Sequence, residues 1–243
     1  MKDYGLVSII TPTWACASFI GQTIKSIRAQ TYQNWELLIQ DDCSVDGTDK
    51  IVKPYTDMDA RIKYESNLRN SGAAVTRNNA LKRAKGRWIA FLDSDDLWMP
   101  EKLAHQLKFM VDIDYHFSYT GVEIVNEKGI STNKYATGPR HIGRICMLGY
   151  CWIGSPSVMY DAEKVGLIQI ADIKKNNDYA IWLKVIKKTD CYLLDEILAQ
   201  YRVRQGSISR VSYLTLIKWH YRMFREAENF DPFSSVILTL NNL

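Results

Sequence analysis

Three carboxylates fall within four residues at Asp93, Asp95 and Asp96. The run that leads to them, Trp88-Ile89-Ala90-Phe91-Leu92, is apolar and rich in β-formers, the pattern of a strand buried on both faces. Acids at the carboxyl end of a central strand stand where open α/β sheets place their ligands. Carboxylates this close repel one another, and a divalent cation relieves the repulsion. Asp93 and Asp95 form a pair that one metal can engage directly or through water; magnesium or manganese would keep positions open for phosphate. A charged turn closing a strand is the alternative for a bare Asp-x-Asp. A calcium loop is excluded, because the sixth position from Asp93 is Trp98 instead of Gly and Pro100 falls inside the loop.

A second acidic pair, Asp41-Asp42, closes another strand pattern, Trp35-Glu36-Leu37-Leu38-Ile39-Gln40. Arg77 lies near the start of a helix carrying Ala73, Ala74, Ala80, Leu81 and Ala84, with Gly86 as its expected stop. From there a guanidinium can fork onto a phosphate, or it can be a solvated surface group. The elements that must position these residues read in order. Leu6 to Ile10 is the first strand, and Thr11-Pro12-Thr13-Trp14 turns out of it. Ile20, Ile24 and Ile27 mark one face of a helix ending near Gln30. Ser44, Asp46, Gly47 and Thr48 form a turn that caps the next helix, and Ile62 to Glu65 is a short third strand. Pro100 opens a helix reaching about Met110. This β-α-β-α-β-α-β order predicts an α/β fold, with a mostly parallel central sheet and helices on both faces.

The chain has 243 residues, enough for one large α/β domain with or without a small appendage, and 47% of them are hydrophobic. A net charge of +4 suits an anionic substrate or membrane surface without arguing for nucleic acid, and no RNA-binding aromatic signature or finger spacing occurs. Five cysteines at irregular spacing read as reduced thiols of a cytoplasmic protein. No apolar leader precedes the first strand, and the longest uncharged run, Ile145 to Tyr160, is too short and too broken by Gly and Pro to span a bilayer. Neither the dinucleotide-binding G-x-G-x-x-G nor the P-loop pattern follows the first strand.

Four linked motifs occur in order: Val7 to Trp14, Gln40 to Thr48, Asn70-Ser71-Gly72 with Thr76-Arg77-Asn78, and Phe91-Leu92-Asp93-Ser94-Asp95-Asp96. Together they resemble family 2 glycosyltransferases of the GT-A fold, over about the first hundred residues. The resemblance implies a Rossmann-like sheet and a nucleotide site formed by Pro12, Thr13, Trp14, Asp42, Arg77, Asp93 and Ser94. In it Asp42 contacts uracil, Trp14 packs on the base and Arg77 helps hold the nucleotide. It further implies that Asp93 and Asp95 are the metal-binding pair for Mn2+ or Mg2+, Asp95 being the direct ligand. Trp14 stands where the family more often has Tyr, and Cys43 where it often has Gly or Asn.

The second half is less regular. Phe117 to Val125 reads as a strand, and Tyr135 to Ser157 as a loop-rich stretch holding Tyr150 and Trp152. Aromatic faces suit sugar rings, though buried packing is the commoner role. Asn177-Asp178 precedes the helix face of Ile181, Trp182, Val185 and Ile186. This resembles the family's acidic pair, whose Asp is the catalytic base, and implies that role for Asp178; the first acid is replaced by Asn177. Tyr201 to Ser209 resembles a family segment that usually carries His where this chain has Arg204, a group that can neutralise a diphosphate. The Q-x-x-R-W signature of processive members does not occur. At the C-terminus Leu214, Ile217, Tyr221 and Phe224 share one helical face, and Lys218, Arg222 and Arg225 another. That helix is read either as docked on the core or as a surface that attracts anionic lipid.

The resulting expectation is an inverting, metal-dependent glycosyltransferase that adds one sugar from a UDP-sugar to a saccharide acceptor, free or lipid-linked. It would work in the cytoplasm or at the inner membrane face, in bacterial polysaccharide biosynthesis. Residues 1–210 would form the catalytic domain, with a nucleotide half to about residue 100 and an acceptor half beyond it; residues 211–243 would be a helical extension. The rivals are a nucleotidyltransferase, which would show a Gly-rich loop after its first strand, and a nucleotide-sugar-binding module without catalysis.

Overall fold

The computed structural model describes residues 2–204 and 213–242, so Gln205 to Ser209 of the Arg204 segment lie outside the described residues. The apolar runs form β1 (Val7–Thr13), β2 (Trp35–Asp41), β3 (Ile62–Ser66) and β4 (Trp88–Phe91), alternating with α1 (Ile20–Arg28), α2 (Thr48–Met58) and α3 (Ala73–Lys82). The chain continues through β5 (Leu97–Trp98), α4 (Lys102–Ile113), β6 (Phe117–Val125), β7 (Ser131–Ala136), β8 (His141–Ile142), α5 (Arg144–Gly149), β9 (Met159–Asp161), α6 (Ala162–Val165), α7 (Asn177–Val185) and β10 (Cys191–Arg202). It closes with α8 (Tyr213–Arg222), a π-helical turn (Met223–Ala227) and α9 (Pro232–Asn241).

One ten-stranded sheet orders these strands β3-β2-β1-β4-β9-β6-β10-β5, with β7 beside β6 and β8 beside β10. Ladders β3–β2, β2–β1, β1–β4 and β6–β10 are parallel, whereas β9 is antiparallel to both β4 and β6. Most paired residues therefore lie in parallel ladders, and β9 joins two parallel halves. Two apolar layers cover the faces. Ile24, Ile27, Leu103 and Leu107 lie on one side; Leu81, Ile181, Trp182 and Phe224 lie on the other.

Several local expectations shift. Thr11-Pro12-Thr13 does not turn out of β1 but continues it, with Pro12 opposite Gln40. β4 pairs with β1 only as far as Ile10, so the proline sits where one flank of the strand is open and no ladder bond is lost there. Gly86 is not a helix stop, since α3 ends at Lys82. Its role is close approach: a Cβ there would lie 2.6 Å from the Leu6 carbonyl oxygen and the Ser8 nitrogen.

The docked face at the C-terminus is His220, Met223, Phe224 and Ala227, while Leu214 is exposed. Of the predicted stripe, Phe224 is buried, Ile217 and Tyr221 are half-buried, and the π turn shifts the docked face beyond Arg222 to Met223, Phe224 and Ala227. The expected basic face is also reduced. Arg222 pairs with Glu226 at 2.7 Å, and Arg225 donates to the Phe230 carbonyl. Among the described residues, no helix is long and apolar enough to cross a membrane.

Candidate active site

The carboxyl ends of β1, β2 and β4 and the head of α7 converge. Asp93 to Asp96 form the turn after β4, and α1 holds it from below. Thr23 Oγ1 donates to the carbonyls of Ser94 and Asp96 at 3.0 and 2.9 Å. Arg202, at the end of β10, clamps the same turn. Its Nε donates to the Asp95 carbonyl at 2.6 Å, and its two terminal nitrogens donate to the Glu127 carbonyl and to Gln22 Oε1. The Arg202 backbone N–H donates to Asp96 Oδ1 at 2.9 Å. Neither Thr23 nor Arg202 was singled out from the sequence. Arg202 carries a signal all the same, since it lies two residues before Arg204 and so shares its face of an extended chain.

The three acids divide their work. Asp93 Oδ1 accepts from Arg77 Nη2 at 2.6 Å, and Asp95 Oδ2 pairs with Arg204 Nε at 2.9 Å. Burial, then the neighbouring Asp93 charge, pushes the Asp95 carboxyl up from its ordinary range. Asp96 points into the protein, and burial with the charges of Asp95 and Asp93 holds its carboxyl well above the usual range. Beyond Asp95, Arg204 reaches Cys16 Sγ at 3.8 Å and lies over the Phe19 ring. Ser94 is buried, and its side chain meets Cys16.

Arg77 joins the two halves of the chain. It is buried; besides Asp93, it donates to Asn177 Oδ1 at the head of α7. Burial opposes its charge, but Asp93 and Asp178 outweigh that and leave the guanidinium more basic than usual. The replacement of an acid by Asn177 is thus accommodated, because an amide oxygen accepts from arginine as well. Asp178 is partly exposed and accepts from the N–H of Tyr179 at 2.8 Å, at the positive end of α7.

Around the carboxyl ends of β1 and β2, loops are tied by their side chains. Asp42 Oδ1 accepts from Asn67 Nδ2 at 2.9 Å and Ser71 N–H at 2.7 Å, and its Oδ2 accepts from Gly72 N–H at 2.8 Å. Gly72 is left-handed (φ 87°), which favours glycine. With the Asn70 amide oriented to satisfy both neighbours, it donates to Asp42 Oδ2 at 3.3 Å and accepts from Trp14 Nε1 at 3.0 Å. Trp14 itself stands out from the surface beside this loop, 54% exposed. Pro12 is half-buried and Thr13 buried; the Thr13 carbonyl accepts from Asp42 N–H at 2.8 Å. Cys43 is left-handed (φ 63°), which explains why Gly or Asn suits that position.

The stretch after α5 is more open. Tyr150 and Trp152 pack edge to face at 4.8 Å, and both are exposed, so core packing is not their role. They follow α5, whose Met147 carbonyl accepts from the Tyr179 hydroxyl of α7.

Residues 8–150 match the model of a family described as glycosyl transferase family 2. A Bacillus subtilis glycosyltransferase named for teichuronic acid biosynthesis, TuaG, is 40% identical over 224 residues, 92% of this chain and 88% of that protein. WfgD of Escherichia coli, named a UDP-Glc:α-D-GlcNAc-diphosphoundecaprenol β-1,3-glucosyltransferase, is 39% identical over 211 residues, 86% of this chain and 81% of that one. Among solved structures, Staphylococcus aureus TarS with UDP-GlcNAc superposes with a TM-score of 0.74 at 20% identity, over 96% of this chain and 70% of that chain. A Pyrobaculum calidifontis mannosyltransferase with GDP-Man and Mn2+ gives 0.69 at 17% identity, over 98% and 69%. These structural likenesses are of fold, and that fold is GT-A.

Proposed function

This chain belongs to glycosyl transferase family 2, and from that premise we propose that it moves one sugar from a UDP-sugar to a hydroxyl of a lipid-linked saccharide in bacterial polysaccharide assembly, with inversion at the anomeric carbon. The observation that carries the reading is Arg77, which binds Asp93 of the donor end and Asn177 beside Asp178 of the acceptor end. It brings a phosphate-binding centre and a proton acceptor together from residues about a hundred apart in sequence.

At the donor end the uracil edge meets Asp42 Oδ2, replacing the long Asn70 contact, while Trp14 offers its ring to the base. Asp93 and Asp95 suit magnesium or manganese. Each carboxylate has one oxygen committed to an arginine and one left, and these cations bind through one or two carboxylates plus substrate phosphates. Among the described residues no group of three His, Cys, Asp or Glu side chains gathers to hold a metal without such phosphates. Bound there, the ion would supply positive charge to the departing diphosphate. Arg204 leaves Asp95 for the diphosphate when the donor arrives, adding a second positive charge.

Tyr150 and Trp152 hold the acceptor sugar on their exposed faces. Asp178 accepts the proton of the attacking hydroxyl as oxygen bonds to the anomeric carbon and the bond to UDP breaks. A single displacement inverts the centre and requires no enzyme nucleophile. The test is calorimetry of UDP with and without manganese on wild type and Asp95→Ala. Binding that depends on both the ion and Asp95 supports the donor site; its absence under every condition refutes the reading.

A further inference from the structure

Helix α9 is inverted. The residues it turns inward are Ser235, Thr239 and, just past its end, Asn242, all buried. Those it turns to solvent are Phe233, Val236, Ile237 and Leu240, exposed by 74, 46, 43 and 63%. Their spacing, i, i+3, i+4 and i+7, places them in one stripe along the helix. Its attachment to the body combines Leu238, packed against the core, with hydrogen bonds made by Asn242. Within α9 itself, Ser235 Oγ donates to the Asp231 carbonyl at 2.8 Å and Thr239 Oγ1 to the Ser235 carbonyl at 2.7 Å, so both inward hydroxyls are satisfied by the helix's own backbone. Asn242 Nδ2 donates to the Leu148 carbonyl of α5 at 2.8 Å, and its Oδ1 accepts from the Tyr179 hydroxyl of α7 at 3.0 Å. The outward apolar stripe is therefore not needed to hold α9 in place, and in water it is a cost.

We propose that this stripe is the surface by which the protein lies on an anionic lipid bilayer. No charged residue occurs from Pro232 to Asn242, so nothing on α9 resists entry into the headgroup boundary. Both neighbouring helices that pack on it carry exposed cations, Arg144 on α5 and Lys218 on α8, neither ion-paired among the described residues. Beside Arg144, Ile145 is exposed as well. That combination of apolar stripe and flanking positive charge matches an acidic lipid surface. A second copy of the chain fits less well, because four side chains cover far less than the roughly 800 Å² each partner buries in a stable pair. The placement has a purpose that rests on the lipid-linked acceptor proposed above: α9 is hydrogen-bonded to the helix that carries Asp178, so seating it on a membrane presents the base to an acceptor held there.

The experiment is flotation with vesicles of equal parts phosphatidylglycerol and phosphatidylcholine, comparing wild type with the triple variant Phe233→Ser, Ile237→Ser, Leu240→Ser. The wild type should float, and the variant should lose about tenfold or more in its bound-to-free ratio while melting no lower, since the replaced groups face water. Equal flotation of both proteins overturns the proposal. So does a wild type that stays with the soluble fraction as a dimer that the triple substitution dissociates. UDP calorimetry on the same samples separates the two readings. UDP binding without flotation sinks the docking surface alone; flotation lost in the variant, with no UDP binding by either protein, upholds the surface and sinks the transferase reading.

Discussion

The carboxylate at the end of β2 and the one at the head of α7 are held in opposite ways. Asp42 is buried and accepts from a side chain and two backbone N–H groups of one loop, with a fourth donor within reach. Asp178 is partly exposed and accepts from its neighbour's N–H. A group that recognises a fixed edge gains from being locked before the ligand arrives, because the ordering cost falls on folding and not on binding. A group that must take a proton needs lone pairs left over and room to meet a hydroxyl. Arg77 stands between these two regimes, buried like the first and touching the second.

Substitutions can break this contrast. The largest effect is expected at the open end. Asp178→Asn should lower transfer on the order of a thousandfold, the scale of a lost general base, with UDP affinity unchanged by calorimetry. Comparable turnover would mean the open carboxylate is not the proton acceptor. Arg77→Ala should act on both ends. It leaves Asp93 without its buried counterion and Asn177 without its donor, and urea denaturation should read a loss of about 3–5 kcal/mol. At the locked end, Asp42→Asn exchanges one acceptor oxygen for an N–H that faces either the Ser71 or the Gly72 donor. Stability should fall by about 2 kcal/mol and UDP should bind more weakly. A variant with full stability and weak UDP binding would show that Asp42 serves the ligand and not the loop.

The same contrast runs through what could be read from the chain. The alternation of β1 to β4 with α1 to α3 was legible because buried parallel strands write themselves as apolar runs and their helices as stripes. The three acids after β4, and the positions of Asp42, Arg77 and Asp178, followed from motif order. What could not be read depends on partners distant in sequence. β5 and β9, two and three residues long, exist only through β10, β4 and β6. The loop that locks Asp42 does so largely with backbone N–H groups, which carry no residue signature. The pairing of Arg204 with Asp95 joins residues more than a hundred positions apart and carries no local signature. α9 carries little signal because its fully buried residues are polar, the reverse of the pattern by which a docked helix is recognised.

Asp96 offers the finest test of which carboxylates belong to the fold and which to the ligand. It follows directly on two acids proposed for a cation, yet its Oδ1 accepts from Arg202 N–H and its Oδ2 is buried without a partner among the described residues. Burial first, then Asp95 and Asp93, raises its carboxyl well above the ordinary range, so the folded protein favours the neutral acid. An unfolded aspartate ionises near pH ~4, so between that value and the raised one the folded state binds more protons than the unfolded. The contribution of Asp96 to stability is therefore complete below pH ~4 and is lost as pH rises through the folded value. Asn mimics the neutral acid and keeps the acceptor for Arg202. Asp96→Asn should match the wild type within about 1 kcal/mol at neutral pH or exceed it, and should flatten the decline with rising pH in urea titrations. A loss of about 3 kcal/mol at neutral pH, with the pH slope unchanged, would place Asp96 with the charged pair and make all three acids part of the donor site.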